Sequence, residues 1–244
     1  MIGYMRSQQA ELVVPPELAF FLRAGQRSGQ VPVICDGVSS LGHVVESIGV
    51  PLTEVGSLEA NGQLVAPSYR PGGGDVVQVR AIMRPQRLMS ARFVLDVHLG
   101  TVARRLRLVG VDTAYANDAD DDDLLQLANA TQRVLLTQDR GLLCRRKLWL
   151  GGYVRGSRPE AQFADVLDRF APRLAPWTRC TACNGLLSPA RKADVELLLR
   201  PGTRRTYQEF SRCQSCGRVY WRGAHAGHLE AIIDSALQTV RAAR

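Results

Sequence analysis

The sequence has no apolar run approaching the roughly 18 residues a membrane span needs, which sets aside an integral membrane protein. It opens Met1-Ile2-Gly3-Tyr4-Met5-Arg6, with no basic region followed by an apolar stretch, so no secretory signal is expected. There is no internal repeat, and no low-complexity segment beyond the acid run Asp120 to Asp123. Core-forming residues are not scarce: 45% of the chain is hydrophobic and 22% charged. That is close to a globular average and excludes a fully disordered chain. With 244 residues there is room for one large domain or two to three small ones. Six cysteines without an export signal point to metal or thiol use in a reducing cytoplasm.

The net charge of +8 is unevenly placed. Residues 1–83 carry 5 basic and 7 acidic side chains, and residues 84–172 carry 14 and 11. Residues 173–222 carry 10 and 3, so this one segment holds a net +7. Such a concentration is the footprint of a polyanion-binding module, or of a soluble basic surface. Composition also sets the boundaries. The stretch Arg80 to Arg87 and the stretch Pro172 to Pro176 are both basic and Pro-containing, and they divide the chain into three.

Residues 1–84 read as α+β. Phe20-Phe21-Leu22 and Val31-Pro32-Val33-Ile34 are apolar stretches of strand type. Ser39-Ser40 precedes Leu41, Val44, Val45 and Ile48, which have helical spacing, and Gly49 supplies the stop. Pro71 to Asp75 is a turn, and Val76 to Val79 a closing strand. Strands around one helix in about eighty residues suggest a β-grasp. Val50-Pro51-Leu52-Thr53-Glu54-Val55, Ala60-Asn61-Gly62 and Gly74-Asp75-Val76-Val77 resemble a ubiquitin-like domain of the sulfur-carrier type. Carriers of that type need a C-terminal Gly-Gly, whereas Gly72 to Gly74 lie inside a turn with about 170 residues after it. An accessory or docking role is therefore expected, with a protein partner. A sulfur-transfer adaptor is the weakest of the functional alternatives.

The second segment alternates strands and helices. Phe93-Val94-Leu95 reads as a strand ending at Asp96. Leu99, Val102, Ala103, Leu106 and Val109 share a helical face, and Gly110 is its stop. Val111 to Tyr115 and Val134 to Thr137 read as strands, with a helix through Leu124, Leu125, Leu127 and Ala128 between them. Tyr153-Val154-Arg155 is a candidate fourth strand, and Phe163, Val166, Leu167 and Phe170 mark an amphipathic helix. This alternation implies a parallel sheet. In such sheets sites lie outside the carboxyl ends of the strands. Asp96 and Asp139 sit there, and the acid run leads into the helix before the third strand. Clustered carboxylates repel one another unless a hard cation such as Mg²⁺ or Mn²⁺ joins them, and such an ion suits phosphodiester chemistry. Acids in a first helical turn also serve the helix dipole, and an Asp after a strand also caps turns.

Phe93 to Gly100 with Ala103-Arg104 and Leu106 resembles the first motif of the Mut-seven C-terminal RNase family, whose nuclease domain is PIN-like. Gly110-Val111-Asp112-Thr113, Asp121-Asp122-Asp123-Leu124-Leu125 with Ala128, and Leu135 to Leu142 are similar to its later motifs. The likeness extends over about 92–228 when the cysteine segment is included. The resemblance implies metal-binding and catalytic roles for Asp96, Asp121 and Asp139, with Asp122 in reserve for the middle position. Asp112 matches a family position but falls at a strand start. Arg104, Arg105 and Arg140 are candidates for phosphate contact, or surface arginines.

Cys180-Thr181-Ala182-Cys183 and Cys213-Gln214-Ser215-Cys216 form a C-x2-C…C-x2-C set. The spacing suits a zinc ribbon with four thiolates on a structural zinc. Two redox pairs or disulfides are the competing readings. Cys35 reads as core, and Cys144 has no adjacent histidine to make it a nucleophile. Arg212, Arg218, Tyr220, Trp221 and Arg222 make a basic surface with aromatic faces that suits RNA; Tyr220 and Trp221 alternatively pack the ribbon against its neighbour. His225 and His228 follow, resembling the family's closing motif and able to replace a ligand.

The expected architecture is thus a β-grasp at 1–84, a PIN-like α/β domain at 90–172, a zinc ribbon at 173–230 and a helical tail at 231–244. The expected function is a cytoplasmic Mg²⁺- or Mn²⁺-dependent ribonuclease acting on RNA, tRNA or the ribosome included. The alternative is an RNA- or ribosome-binding factor with a weak or inactive nuclease site.

Overall fold

The computed structural model describes residues 8–223 and 226–244. They form two compact units: residues 8–83 with 137–153, and residues 84–136 with 154–244.

The first unit contains a five-stranded sheet of β1 (Gln9–Val13), β2 (Gln30–Ile34), β3 (Val55–Ala60), β4 (Gln63–Val65) and β5 (Val76–Ala81), in the order β2-β1-β5-β3-β4. β1 and β5 are parallel, and the other pairs are antiparallel. In β1, Ala10 and Leu12 are buried and the residues between them are not, the period-two pattern of a sheet with one covered face. Helix α1 (Leu41–Ser47) starts at Ser40, whose hydroxyl accepts from His43 N–H at 3.4 Å. Its Leu41, Val44 and Val45 join Leu12, Val31, Val77 and Val79 in the core. Gly49 ends the helix at φ +102°, and a Cβ there would meet Phe21 O at 2.7 Å. One helix on a mixed sheet is the β-grasp. Phe20-Phe21-Leu22 is not a strand: Ala19–Phe21 is a 3₁₀ turn. The Pro15 and Pro16 carbonyls accept from Leu18 and Ala19 and tighten the chain just before it. A three-residue apolar run has too little period to tell these conformations apart.

The second unit holds β6 (Phe93–Leu95), helix α2 (Gly100–Leu108), β7 (Thr113–Ala114), helix α3 (Asp121–Thr131) and β8 (Val134–Thr137). Both β7 and β8 run parallel to β6, on its two sides. Every residue of β6 and β8 is buried. Such strands read as continuous apolar runs because both sheet faces are covered. β7 is shorter than the Val111 to Tyr115 expected, since only Thr113 and Ala114 pair with β6. Gly110 takes φ +84° after α2, where a Cβ would collide with Ala175 O.

Segment 137–153, with the helical turn α4 (Arg140–Leu143) and strand β9 (Gly151–Tyr153), belongs to the first unit. Buried Glu54 accepts from Tyr153 N–H at 2.8 Å, and the Tyr153 ring meets Phe20 and Phe21 at centroid distances of 5.6 and 5.0 Å. The Arg140 guanidinium donates to Phe21 O at 2.7 Å and to Phe20 O at 3.2 Å. The fourth strand thus ends at Tyr153, two residues before the expected end.

Helix α5 (Pro159–Phe170) packs on α2 through Phe163, Val166, Leu167 and Phe170, all buried. The ribbon follows as an antiparallel sheet of β10 (Leu187–Ala190), β11 (Phe210–Cys213) and β12 (Val219–Tyr220). Helical turns α6 (Lys192–Val195) and α7 (Pro201–Thr206) lie between its first two strands. Helix α8 (Ala226–Ala243) buries Ile233, Ala236 and Val240 and packs on α5; it begins five residues before the expected tail. Among the described residues no helix is long and apolar enough to cross a membrane.

Candidate functional site

The cysteine centre is built by two knuckles. Cys180 N–H donates to Gly185 O at 2.8 Å, and Asn184 N–H returns to Cys180 O at 2.9 Å, with Asn184 at φ +68°. In the second knuckle Cys213 N–H donates to Arg218 O at 2.9 Å, and Gly217 N–H to Cys213 O at 3.1 Å. A Cβ at Gly185 would lie 2.5 Å from Ser215 Oγ and 2.9 Å from Cys213 Sγ, so only glycine lets the knuckles close. The four sulfurs lie within 4.8 Å of one another. Cys183 and Cys213 Sγ are 3.5 Å apart, Cys180 and Cys216 Sγ 3.7 Å. A disulfide needs about 2.05 Å, so these are not bonded pairs. Sulfurs at about 2.3 Å from a tetrahedral zinc stand about 3.8 Å apart, and the cluster fits that ion. The thiols press on one another electrostatically. Burial works to raise Cys180, but the Tyr220 hydroxyl and the knuckle N–H groups draw it down to about 6. Cys183 is pushed up to about 12 by burial and by the neighbouring sulfurs. A dication removes that conflict.

Sequence reasoning missed the support beneath this centre. Arg107 is buried and donates to Thr113 O at 2.8 Å, Thr181 O at 3.2 Å and Ala182 O at 2.8 Å, placing a cation under the first knuckle. No local pattern in the sequence sets it apart from Arg104 and Arg105 on the same helix. Tyr220, expected to stack bases or pack, places its hydroxyl 3.0 Å from Cys180 Sγ. His228 is exposed, borders a 220 Å³ cavity among α2, α5 and α8, and is not part of the thiol cluster. His225 lies outside the described residues.

Asp112 joins the sheet to the ribbon. Its carboxylate meets Arg133 at 2.6 Å and Arg179 at 3.3 Å, and accepts from Asn184 Nδ2 at 2.8 Å. Asn184 in turn accepts from Thr113 N–H at 3.0 Å. Burial works against the charge, yet the bonds from Arg133 and Asn184 hold the Asp112 carboxyl below its ordinary value. The stability this contributes is present above the unfolded value of about 3.9 and is lost as pH falls through the lower folded value. Asp112→Asn is expected to cost about 2 kcal/mol at pH 7 and distinctly less near pH 3. Urea unfolding of both proteins at the two pH values checks this; an equal cost at both would contradict the ion-pair account.

The predicted acidic residues occupy strand and helix ends. Asp96 directly follows β6 and is 9% exposed. Its N–H donates to Leu136 O at 3.0 Å and its carbonyl accepts from Leu99 N–H at 2.9 Å. The Tyr115 hydroxyl donates to Val97 O at 2.9 Å and fixes the turn that begins there. Asp120 is the N-cap of α3, accepting from Asp123 N–H at 2.8 Å. Asp121, Asp122 and Asp123 are exposed in its first turn. Asp139 is exposed and caps α4, accepting from Gly141 N–H at 2.7 Å. Among the described residues only the cysteines bring three or more ligand atoms within 4.8 Å of each other; the aspartates do not. Asp118 and Asp123 border a 690 Å³ cleft with Tyr115, Leu127, Cys183 and Asn184. Asp118 carried no motif to mark it.

The predicted arginines differ in what they touch. Arg104, Arg212 and Arg218 are exposed. Arg105 is paired with Glu160, and Arg140 with the Phe20 and Phe21 carbonyls. Arg222 stands over the Trp177 ring at 5.6 Å and 3.8 Å from Glu230. Trp221 is 39% exposed.

A β-grasp, a parallel α/β sheet and a four-cysteine ribbon are consistent with a PIN-like fold preceded by a ubiquitin-like domain. Residues 91–233 match the Mut7-C RNAse domain and residues 7–87 the Mut7-C ubiquitin domain. The chain belongs to the Mut7-C RNAse domain family. This supports a nuclease-type function. No curated protein and no solved structure matches the chain.

Proposed function

We propose that the protein is a metal-dependent ribonuclease that hydrolyses RNA phosphodiester bonds through Asp96, Asp121 and Asp139, with Asp122 as the alternative at the middle position. The observation that carries this reading is the place of Asp96 in the sheet. The connection from β6 leads to β7 on one side, while β8 flanks the other. Ligands of open α/β sheets bind beyond carboxyl strand ends where connections diverge. Asp96 is the first residue there, Asp139 lies two residues past β8, and Asp121 opens the helix that leads into β8. Their oxygen donors suit Mg²⁺ or Mn²⁺. Such an ion, when bound, supplies an activated water and charge stabilisation at the leaving oxygen. Asp96, held by backbone bonds on both sides, would keep one carboxylate fixed. Asp121 and Asp139 would complete the set from helix ends.

Arg104, Arg212, Arg218 and Arg222 would neutralise substrate phosphates, and Trp221 would offer a ring to a base. The structural zinc would be held by Cys180, Cys183, Cys213 and Cys216. The substrate would be cytoplasmic RNA, such as tRNA or ribosomal RNA, and the β-grasp would position it or recruit a protein. Purified total RNA incubated with Mn²⁺, Mg²⁺ or EDTA tests the reading. Products with either metal and none with EDTA are expected; equal cleavage in EDTA would refute it.

A binding factor with a weak or inactive site is the second reading. It is favoured by the use of the Asp139 carboxylate as a helix cap and by the spread of the aspartates. RNA retained without product at any metal concentration would support it.

A further inference from the structure

The ribbon carries a groove that cleavage chemistry does not use. It has a volume of about 840 Å³, within the range of ligand pockets, and Trp177, Tyr207, Phe210, Trp221 and Arg222 line it. Trp177 is held there against local preference. Its backbone is left-handed at φ +63°, a conformation bulky side chains rarely adopt, and its buried Nε1–H has no hydrogen-bond partner among the described residues. What the indole does have is the Arg222 guanidinium over its face. Trp221 stands tilted against Phe210, with ring centroids 6.4 Å apart. Tyr207 is half-buried where the chain leaves α7. The segment 173–222 that carries the groove holds 10 basic and 3 acidic side chains, Glu209 of the lining among the acids. Arg200, Arg204, Arg205, Arg212 and Arg218 are exposed, and none has a salt-bridge partner among the described residues.

We infer, building on the ribonuclease reading, that this groove is a binding site for single-stranded RNA, with bases stacked on Trp177, Tyr207 and Trp221 and the backbone held by the arginines of α7 and β11. Stacking needs unpaired bases, which a duplex does not offer. Aromatic faces in a cationic groove are the physical recipe for single strands, and Arg222 adds a planar cation to the stack. Glu209, also lining the groove, is an acceptor for exocyclic amino groups. An acidic peptide would satisfy the arginines but offer no planar partner to Tyr207 and Trp221.

The test uses the full-length, zinc-loaded protein without Mg²⁺ or Mn²⁺. Fluorescence anisotropy compares a labelled unstructured 12-nucleotide RNA, a blunt RNA duplex and a poly-glutamate peptide. Trp221→Ala and Tyr207→Ala are each expected to weaken single-strand binding about tenfold and leave the duplex unchanged. Trp221→Phe should retain most of the affinity. The dependence of log affinity on log salt should stay the same in the ring variants, and flatten in Arg204→Ala/Arg205→Ala by roughly one to two phosphate contacts. Zinc content shows whether each variant is folded at the ribbon. Equal binding of single strand and duplex, an unchanged affinity in Trp221→Ala, or a preference for the peptide would overturn the inference. Absence of cleavage with groove-dependent binding intact would instead refute only the nuclease reading. Cleavage with KM unchanged in both ring variants would refute the groove and leave the nuclease.

Discussion

Asp96→Asn is expected to lower RNA cleavage on the order of 10²-fold or more while leaving the fold in place. The substitution keeps the shape of the side chain and removes its charge. The backbone bonds that seat residue 96, to Leu136 O and from Leu99 N–H, do not involve the side chain. The apolar strands β6 and β8 that fix its position are also untouched. Asp139→Asn should behave alike, since Asn caps a helix about as well as Asp and α4 keeps its N-terminal bond. Asp120→Ala separates the two roles an acid can have here. Its carboxylate caps α3, so the loss should be about 1 kcal/mol of stability with cleavage retained. Single-turnover cleavage rates beside urea unfolding curves would measure both. Full activity in Asp96→Asn and Asp139→Asn together would remove the assignment of the site.

What the sequence made legible follows from local rules. β6 and β8 were readable because strands covered on both faces are solid apolar runs, and α3 because Asp120 precedes a helical apolar spacing. The knuckles were readable because thiolate pairs two residues apart have few other uses. What stayed hidden depends on distant partners. β1 alternates Gln9-Ala10-Glu11-Leu12-Val13, but only two inward residues, Ala10 and Leu12, make a faint pattern. Phe20 and Phe21 looked like a strand until two prolines and the ring of Tyr153 gave them a turn. Glu54 and Arg140 have no local pattern that marks a partner, yet both are anchors between residues 8–83 and the segment after β8. Arg107 and Asp112 are likewise charges whose meaning lies in the ribbon. For the candidate site, sequence alone could nominate Asp96 and Asp139 by strand position. It could not say that Asp120, within the same acid run, is occupied as a cap.

Zinc removal is expected to unfold the ribbon and leave the sheet of β6, β7 and β8 standing. The ribbon has little else to hold it. Its strands have four, four and two residues, and between Arg179 and Tyr220 only Cys180, Val195, Phe210 and Cys213 are buried apolar side chains. Two of those four belong to the cysteine cluster, so a bound metal would stand where a core would be. In small zinc modules the metal contributes on the order of 10 kcal/mol to folding, far more than two apolar side chains supply. Without it, the mutual repulsion of converging thiolates and the desolvated sulfurs of Cys180 and Cys213 act against the knuckles. Arg107 would then be left buried beside carbonyls that no longer hold position, and Asp112 would lose Arg179 and Asn184. Part of the damage should therefore reach β7. Hydrogen exchange after treatment with a strong zinc chelator should show protection lost across residues 178–222, reduced at Thr113 and Ala114, and kept in β6 and β8. Cys213→Ser should reproduce the pattern with zinc content falling from about one ion per chain toward zero. A ribbon that stays protected after the zinc is gone would mean that its own packing, and not the metal, holds the four cysteines together.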